Sequence, residues 1–200
     1  MIIHDVEQNT PEWFALRCGI PTASEFSKIL TSTGKDSTQS KGYMHTLVGE
    51  RLAGEPLESV NNVWMERGKE LEADALSYFE FETDLDIESQ GFITNDDLTL
   101  GCSPDGFSGD WGVEVKCPKG STHVEYLLGR RVPPVYFPQV QGSMYVTGVD
   151  HWWFVSYHPK LDPLIIRVQR DEEWINKLEI ALTRFNNQLN VMMEKLNVTE

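Results

Sequence analysis

The hexapeptide GVEVKC, residues 112–117, alternates apolar and charged side chains. Such a pattern commits it to an extended strand, because successive side chains along a strand point to opposite faces. Val113, Val115 and Cys117 share one face, and Glu114 and Lys116 share the other, about 7 Å apart along the chain. A fold built around this strand either exposes the charged face to solvent or encloses two opposite charges in a site. The rest of the chain has to decide between these.

With 200 residues, 40% of them hydrophobic, and six tryptophans, the chain can build a substantial core as one domain spanning residues 1–200. Apolar runs such as Trp152 to Val155 fall far short of the roughly 20 residues that span a bilayer. The opening MIIHDVEQ lacks the basic and apolar regions of a secretory signal, so a soluble, cytoplasmic protein is expected. Cys18, Cys102 and Cys117 are odd in number and form no CxxC pair. That argues against a disulfide framework, a zinc knuckle or an iron–sulfur cluster.

The net charge of −14 opposes phosphate binding, which needs positive charge. Its distribution matters more. Residues 54–110 hold 15 acidic and 2 basic side chains, a net of −13. Residues 17–51 carry five basic against three acidic, and residues 116–131 four against one. A basic path can therefore run beside an acidic flank, and cations held at carboxylates would invert the local field.

Helix starts are legible. Thr10-Pro11 opens one helix with proline at its first position, and Thr22 with Glu25 makes a capping-box pattern for the next. Further helices are predicted over 43–53, 62–82, 122–130, 134–147 and 172–196. Strands are predicted over 87–94, 98–103, 112–117, 151–157 and 164–170. The polar run 32–42 reads as a mobile loop. This order gives an α/β or α+β fold, a central mixed β-sheet flanked by helices. The dense aromatic run WWFVSYH alternates too little for a half-exposed strand and reads as core strand rather than a base-stacking platform. None of His45, His123, His151 and His158 has metal-ligand spacing.

In helix 62–82, Trp64, Gly68, Leu71, Ala75 and Phe79 mark the core-facing stripe. Glu72 falls on that stripe, where an unpaired carboxylate is costly. A salt bridge to an arginine or a role at a metal or water would each satisfy it.

Asp105, after Pro104, precedes a short turn at Ser108-Gly109-Asp110 that returns the chain as the strand bearing Glu114. Antiparallel neighbours lie about 5 Å apart, so Asp105 can approach Glu114. Two carboxylates that close repel unless a cation sits between them. With the backbone carbonyl of Val115 beside them, they are hard oxygen ligands suited to Mg2+. Lys116, on the same face, can orient a water and steady charge developing on phosphorus. This is an inventory for phosphodiester hydrolysis.

The order WMERGKELEADALSYFEF, GCSPDG, GVEVKCP, FPQVQGSMYVTG closely resembles the phage lambda-type exonucleases, YqaJ-like viral recombinases of the PD-(D/E)xK nuclease superfamily, over about Pro11 to Arg170. The resemblance implies a restriction-endonuclease-like core and a metal-dependent exonuclease that digests one strand of duplex DNA from its 5′ end. The 3′ overhang would serve a single-strand-annealing recombinase in a bacterial host. By motif position it makes Asp105 and Glu114 the Mg2+ ligands, with Mn2+ as a possible substitute. Lys116 becomes the catalytic lysine, Glu72 the helix carboxylate and Gln139 the active-site glutamine. Gln141 with Tyr145 resembles a Q-x-x-x-Y element. In LRCGIPTAS, Arg17 and Ser24 match positions that hold a terminal 5′-phosphate, joined by Ser103, and an arginine fork with hydroxyls near a helix N-terminus makes a sound anion site. Pairing of Arg17 with Glu72, and helix capping by Ser24, are the structural alternatives. The family also implies a ring of three subunits. A PD-(D/E)xK endonuclease for restriction or repair, and an inactive DNA-binding adaptor, are the competing functions.

Overall fold

The computed structural model describes residues 1–57 and 63–196, with the side chains of 63–70 left out. Trp64 and Gly68 of the predicted stripe therefore lie outside the described side chains. Among the described residues, the strands form two sheets. The smaller is antiparallel, built from β1 (Ile2–His4), β2 (Phe92–Thr94) and β3 (Gly101–Cys102). The larger is mixed: β4 (Gly106–Phe107), β5 (Gly112–Lys116), β6 (His151–His158) and β7 (Leu161–Gln169), with β5 and β6 parallel and the other pairs antiparallel. Parallel neighbours need a crossover. Here α4 (Gly120–Gly129) and α5 (Phe137–Thr147) supply it.

Alternation along the strands sends apolar side chains to both faces of the larger sheet. On one face, Val113, Val115 and Val155 pack against Ala75 and Phe79 of α3 (Val63–Thr83). On the other, Phe107, Trp152 and Phe154 join the main core with α5, the 3-10 helix Ala23–Lys28, α2 (Ser40–Ala53) and α6 (Glu172–Lys195). Each fully buried ring contributes about 1.5–3 kcal/mol. WWFVSYH is thus core strand on both sides. The stripe on α6 follows helical spacing, with Trp174, Ile175, Leu178, Leu182, Phe185 and Leu189 buried, and Asp171 caps it by accepting from the Trp174 N–H at 3.0 Å.

Two glycines permit close approaches that shape the site. A Cβ on Gly112 would stand 2.3 Å from the Trp152 ring, and one on Gly142 would stand 2.4 Å from Phe26. The second allows α5 to lie directly on the 3-10 helix.

Several expectations need correction. Thr10 caps α1 (Pro11–Arg17) as predicted. Thr22 and Glu25 do not form a capping box: the segment is a 3-10 helix, Thr22 makes no side-chain cap, and its hydroxyl pairs with that of Ser24 at 3.2 Å. Glu25 pairs with Lys28 instead. Strands 87–94 and 98–103 shorten to β2 and β3, and β1 has no counterpart among the predicted strands. Segment 32–42 is a hydrogen-bonded turn: Thr31 N–H donates to Lys35 O at 2.8 Å, Asp36 pairs with Arg184 of α6 at 2.5 Å, and α2 begins at Ser40. Among the described residues, no helix is long and apolar enough to cross a membrane. Cys18, Cys102 and Cys117 form no disulfide.

Candidate active site

The charged face of β5 is enclosed. Its Glu114 is 1% exposed, so the solvent-facing alternative fails. The β4–β5 register pairs Gly106 with Val113, and continuing it by one residue sets Asp105 opposite Glu114. Two backbone contacts hold Asp105 there. Its N–H donates to Val113 O at 3.1 Å, and its Oδ2 accepts from the Val115 N–H at 2.6 Å.

One oxygen of Glu114 is doubly engaged: Oε1 accepts from Gln139 Nε2 at 2.6 Å and meets Lys116 Nζ at 2.5 Å. Its Oε2 is buried with no hydrogen-bond partner. Burial of such an atom is costly, and the cost is met when a cation takes the oxygen as a ligand.

Electrostatics point the same way. Asp105 has its pKa raised well above the usual carboxylate range, first by burial and then by the Glu114 charge; Glu72 adds to the rise, while Lys116 and the Val115 N–H oppose it. For Lys116, burial alone would lower the pKa, but the charges of Glu114 and Asp105 outweigh it, and the net shift is upward. The ammonium therefore persists through the neutral range, with its side chain 27% exposed.

A cavity of about 160 Å³ is lined by Asp105, Glu114, Lys116 and Gln139 together with Arg17, Ser24 and Ser103. The structure thus gathers two groups of residues that lie far apart in sequence. Ser103 Oγ accepts from Arg17 Nη1 at 2.9 Å and from Trp13 Nε1 at 3.1 Å. The Arg17 guanidinium lies 4.2 Å from the Trp13 ring centroid. Among the described residues, no carboxylate forms an ion pair with Arg17, and burial lowers its pKa. Ser24 is exposed at the cavity rim.

Glu72 is half-buried on α3. It does not line the cavity, but its charge reaches Asp105. Gln141 faces elsewhere: its amide donates to Gln169 O and its oxygen accepts from the Asp171 N–H, both at 2.9 Å, tying α5 to the start of α6. His123 is also structural, spanning Ser156 Oγ at 2.7 Å and Asp162 O at 2.9 Å.

Sequence reasoning missed Gln8, Trp13 and Ser143 as cavity residues. Gln8 Nε2 donates to Gln90 O and Pro104 O, each at 2.9 Å, bracing the loop that carries Asp105. Partners 82 and 96 positions away leave no local signal.

Among the described residues, no group of three or more His, Cys, Asp or Glu side chains is arranged for a metal. The donor set is instead two carboxylates, one with an orphaned oxygen, beside the Val115 backbone. Mg2+ is bound through one or two carboxylates and keeps several waters, so these residues fit Mg2+ or the similar Mn2+.

The YqaJ-like viral recombinase domain matches residues 12–150. Two crystal structures of the alkaline exonuclease LHK-Exo from Laribacter hongkongensis, one of them in complex with dAMP, superpose with TM-scores of 0.85 and 0.84 at 31% and 33% identity; each match covers 94% of this chain and 96% of the other. A phage-related exonuclease from Haemophilus somnus 129PT shares the fold, with a TM-score of 0.70 at 14% identity over 88% of this chain and 96% of that one. No curated protein sequence matches. The restriction-endonuclease-like architecture, the enclosed carboxylates with their lysine, and these likenesses agree: the chain belongs to the YqaJ-like viral recombinase family and is an enzyme of the exonuclease class.

Proposed function

We propose that this exonuclease digests one strand of linear double-stranded DNA from its 5′ end with Mg2+, leaving a 3′ overhang. The observation that carries the chemistry is Glu114, whose buried Oε2 has no partner while Lys116 and Gln139 share Oε1. Asp105 and Glu114, with the Val115 carbonyl beside them, are the proposed ligands. When bound, the cation neutralises charge on the scissile phosphate. Lys116 stays protonated, so it donates hydrogen bonds to the attacked phosphate or to a water rather than removing a proton. Gln139 holds the Glu114 carboxylate in place, and the Val115 N–H does the same for Asp105. Glu72 adds negative charge behind Asp105 and strengthens the preference of the pair for a cation. Gln139→Ala is expected to lower activity about 10- to 100-fold, the usual effect of removing a partner that orients a ligand; steady-state rates on linear duplex check this.

Arg17, Ser24 and Ser103 form the proposed pocket for the terminal 5′-phosphate. An arginine that pairs with no carboxylate among the described residues, beside two hydroxyls in the same cavity, supports that assignment, because a phosphate would supply a counter-charge. The wild type should then degrade 5′-phosphorylated ends faster than 5′-hydroxyl ends. A charged hydrogen bond contributes about 1.5–3 kcal/mol, so the expected ratio is roughly tenfold to a hundredfold. Arg17→Ala should bring the two rates together; equal rates in the wild type would remove the pocket. The family likeness is what supports the other parts of the reading: a strand-annealing recombinase as recipient of the overhang, a ring of three chains around DNA, and action in the cytoplasm of a bacterial host.

A further inference from the structure

The Lys116 ammonium has a second neighbour besides Glu114. Nζ lies over the ring of Tyr136, 5.2 Å from its centroid, within the range at which a ring face attracts a cation. Tyr136 precedes α5 directly, three residues before Gln139. Residues at that spacing share a helix face, so one turn of backbone covers both members of the ion pair: Gln139 grips the carboxylate and Tyr136 faces the ammonium.

The ring is itself held. It stacks on Phe154 with centroids 5.7 Å apart and 30° between planes, and it takes the edge of Tyr126 at 6.2 Å and 88°. The Tyr136 N–H donates to Pro133 O at 2.9 Å, fixing the backbone on which the ring sits.

Lysine has a flexible four-carbon stem and about 2 kcal/mol of rotamer entropy, so a productive position needs more than one anchor. Glu114 alone is a poor anchor here, because the cation proposed to bind its carboxylate repels the ammonium. A neutral ring face attracts the ammonium without competing for that cation. We infer that Tyr136 is a positioning residue that holds the Lys116 ammonium beside the scissile phosphate through its ring face. The inference rests on the proposed role of Lys116.

Ring packing and ring electrostatics are separable, since fluorine withdraws charge from the face while barely changing its size. Position 136 is replaced in the full chain by phenylalanine, then by mono-, di- and trifluorophenylalanine, and separately by leucine. Initial rates are measured on linear 5′-phosphorylated duplex with Mg2+. Tyr136→Phe should keep most of the activity. Across the fluorinated series kcat should fall stepwise, reaching a loss of roughly threefold to thirtyfold relative to Phe, the range of cation–ring attraction, while KM and the melting temperature hold steady. Tyr136→Leu should lose at least as much kcat. A flat fluorinated series, or Leu matching Phe, overturns the inference and leaves Tyr136 as packing. A Tyr136→Phe variant as impaired as Leu also overturns it, because the hydroxyl would then be the acting group. Lys116→Ala is assayed alongside: if it is inactive while the fluorinated series is flat, only the role of Tyr136 falls, whereas full activity in Lys116→Ala removes the reading beneath it.

Discussion

Replacing Lys116 with alanine should lower the rate of DNA hydrolysis about 10²- to 10³-fold, the usual consequence of removing one group aimed at developing charge. The reason lies in its surroundings. Glu114 and Asp105 keep the ammonium charged although burial opposes it, so the side chain acts as a fixed positive charge. Loss of that charge should appear in kcat, because the cation works on the phosphate at the moment of displacement. Binding of duplex in Ca2+ or without metal should change little, and circular dichroism should show an intact fold. Retained kcat in Lys116→Ala would contradict the assignment.

A second large effect is expected at Asp105. Asp105→Asn should reduce hydrolysis by about 10³-fold, reflecting loss of a cation ligand that supports several kcal/mol of charge stabilisation. The same variant should be more stable than the wild type when metal is absent. In the metal-free protein the Asp105 pKa is raised by burial and by Glu114, so the folded state holds a proton more tightly than the unfolded chain does. That preference stabilises the fold at pH below the ordinary aspartate value and is lost as pH rises through the raised one. Asparagine keeps an acceptor for the Val115 N–H and carries no charge. Melting in EDTA across pH 4–9 should therefore show the two proteins close together at the acid end, with the variant several degrees higher at the alkaline end. Saturating Mg2+ should stabilise the wild type more than the variant. A variant that melts lower than the wild type in EDTA at alkaline pH would show that burial and the Glu114 charge do not raise the Asp105 pKa in the folded protein. Glu114→Gln should lose activity in the same way.

The parts of this molecule legible in the sequence are those with a local period. GVEVKC alternates over its length, and the structure returns β5 with its valines on α3 and its charges on the opposite face. The closing helix, predicted over 172–196, is returned as α6 (Glu172–Lys195). Where the decisive contact is distant, the sequence is silent. β1 is three residues long with Ile2 and Ile3 both exposed, so no alternation announces it; its identity comes from pairing with β2. Thr22 and Glu25 have capping-box spacing, but the chain there winds as a 3-10 helix, whose tighter turn carries the residues out of capping geometry. Gln139 and Gln141 look alike in sequence. They are two positions apart on a helix, about 200° around its axis, so one enters the cavity and the other ties α5 to the β7–α6 junction. Motif order brought Asp105, Glu114, Lys116, Gln139, Arg17, Ser24 and Ser103 to attention, and all of them line one cavity. Gln8 and Tyr136 belong to no motif in the chain; only the packed structure places them.

The most direct measurement uses a linear duplex carrying a 5′-phosphate, with one label at the 5′ terminus of a strand and a different label at its 3′ terminus, alongside a closed circular duplex. With Mg2+, the 5′ label should be released first, the 3′ label should persist until the strand is nearly consumed, and the circle should stay intact; EDTA should stop the reaction. Loss of the 3′ label first, cutting of the circle, or undiminished release in EDTA would contradict a cation-dependent site that works inward from a 5′ end.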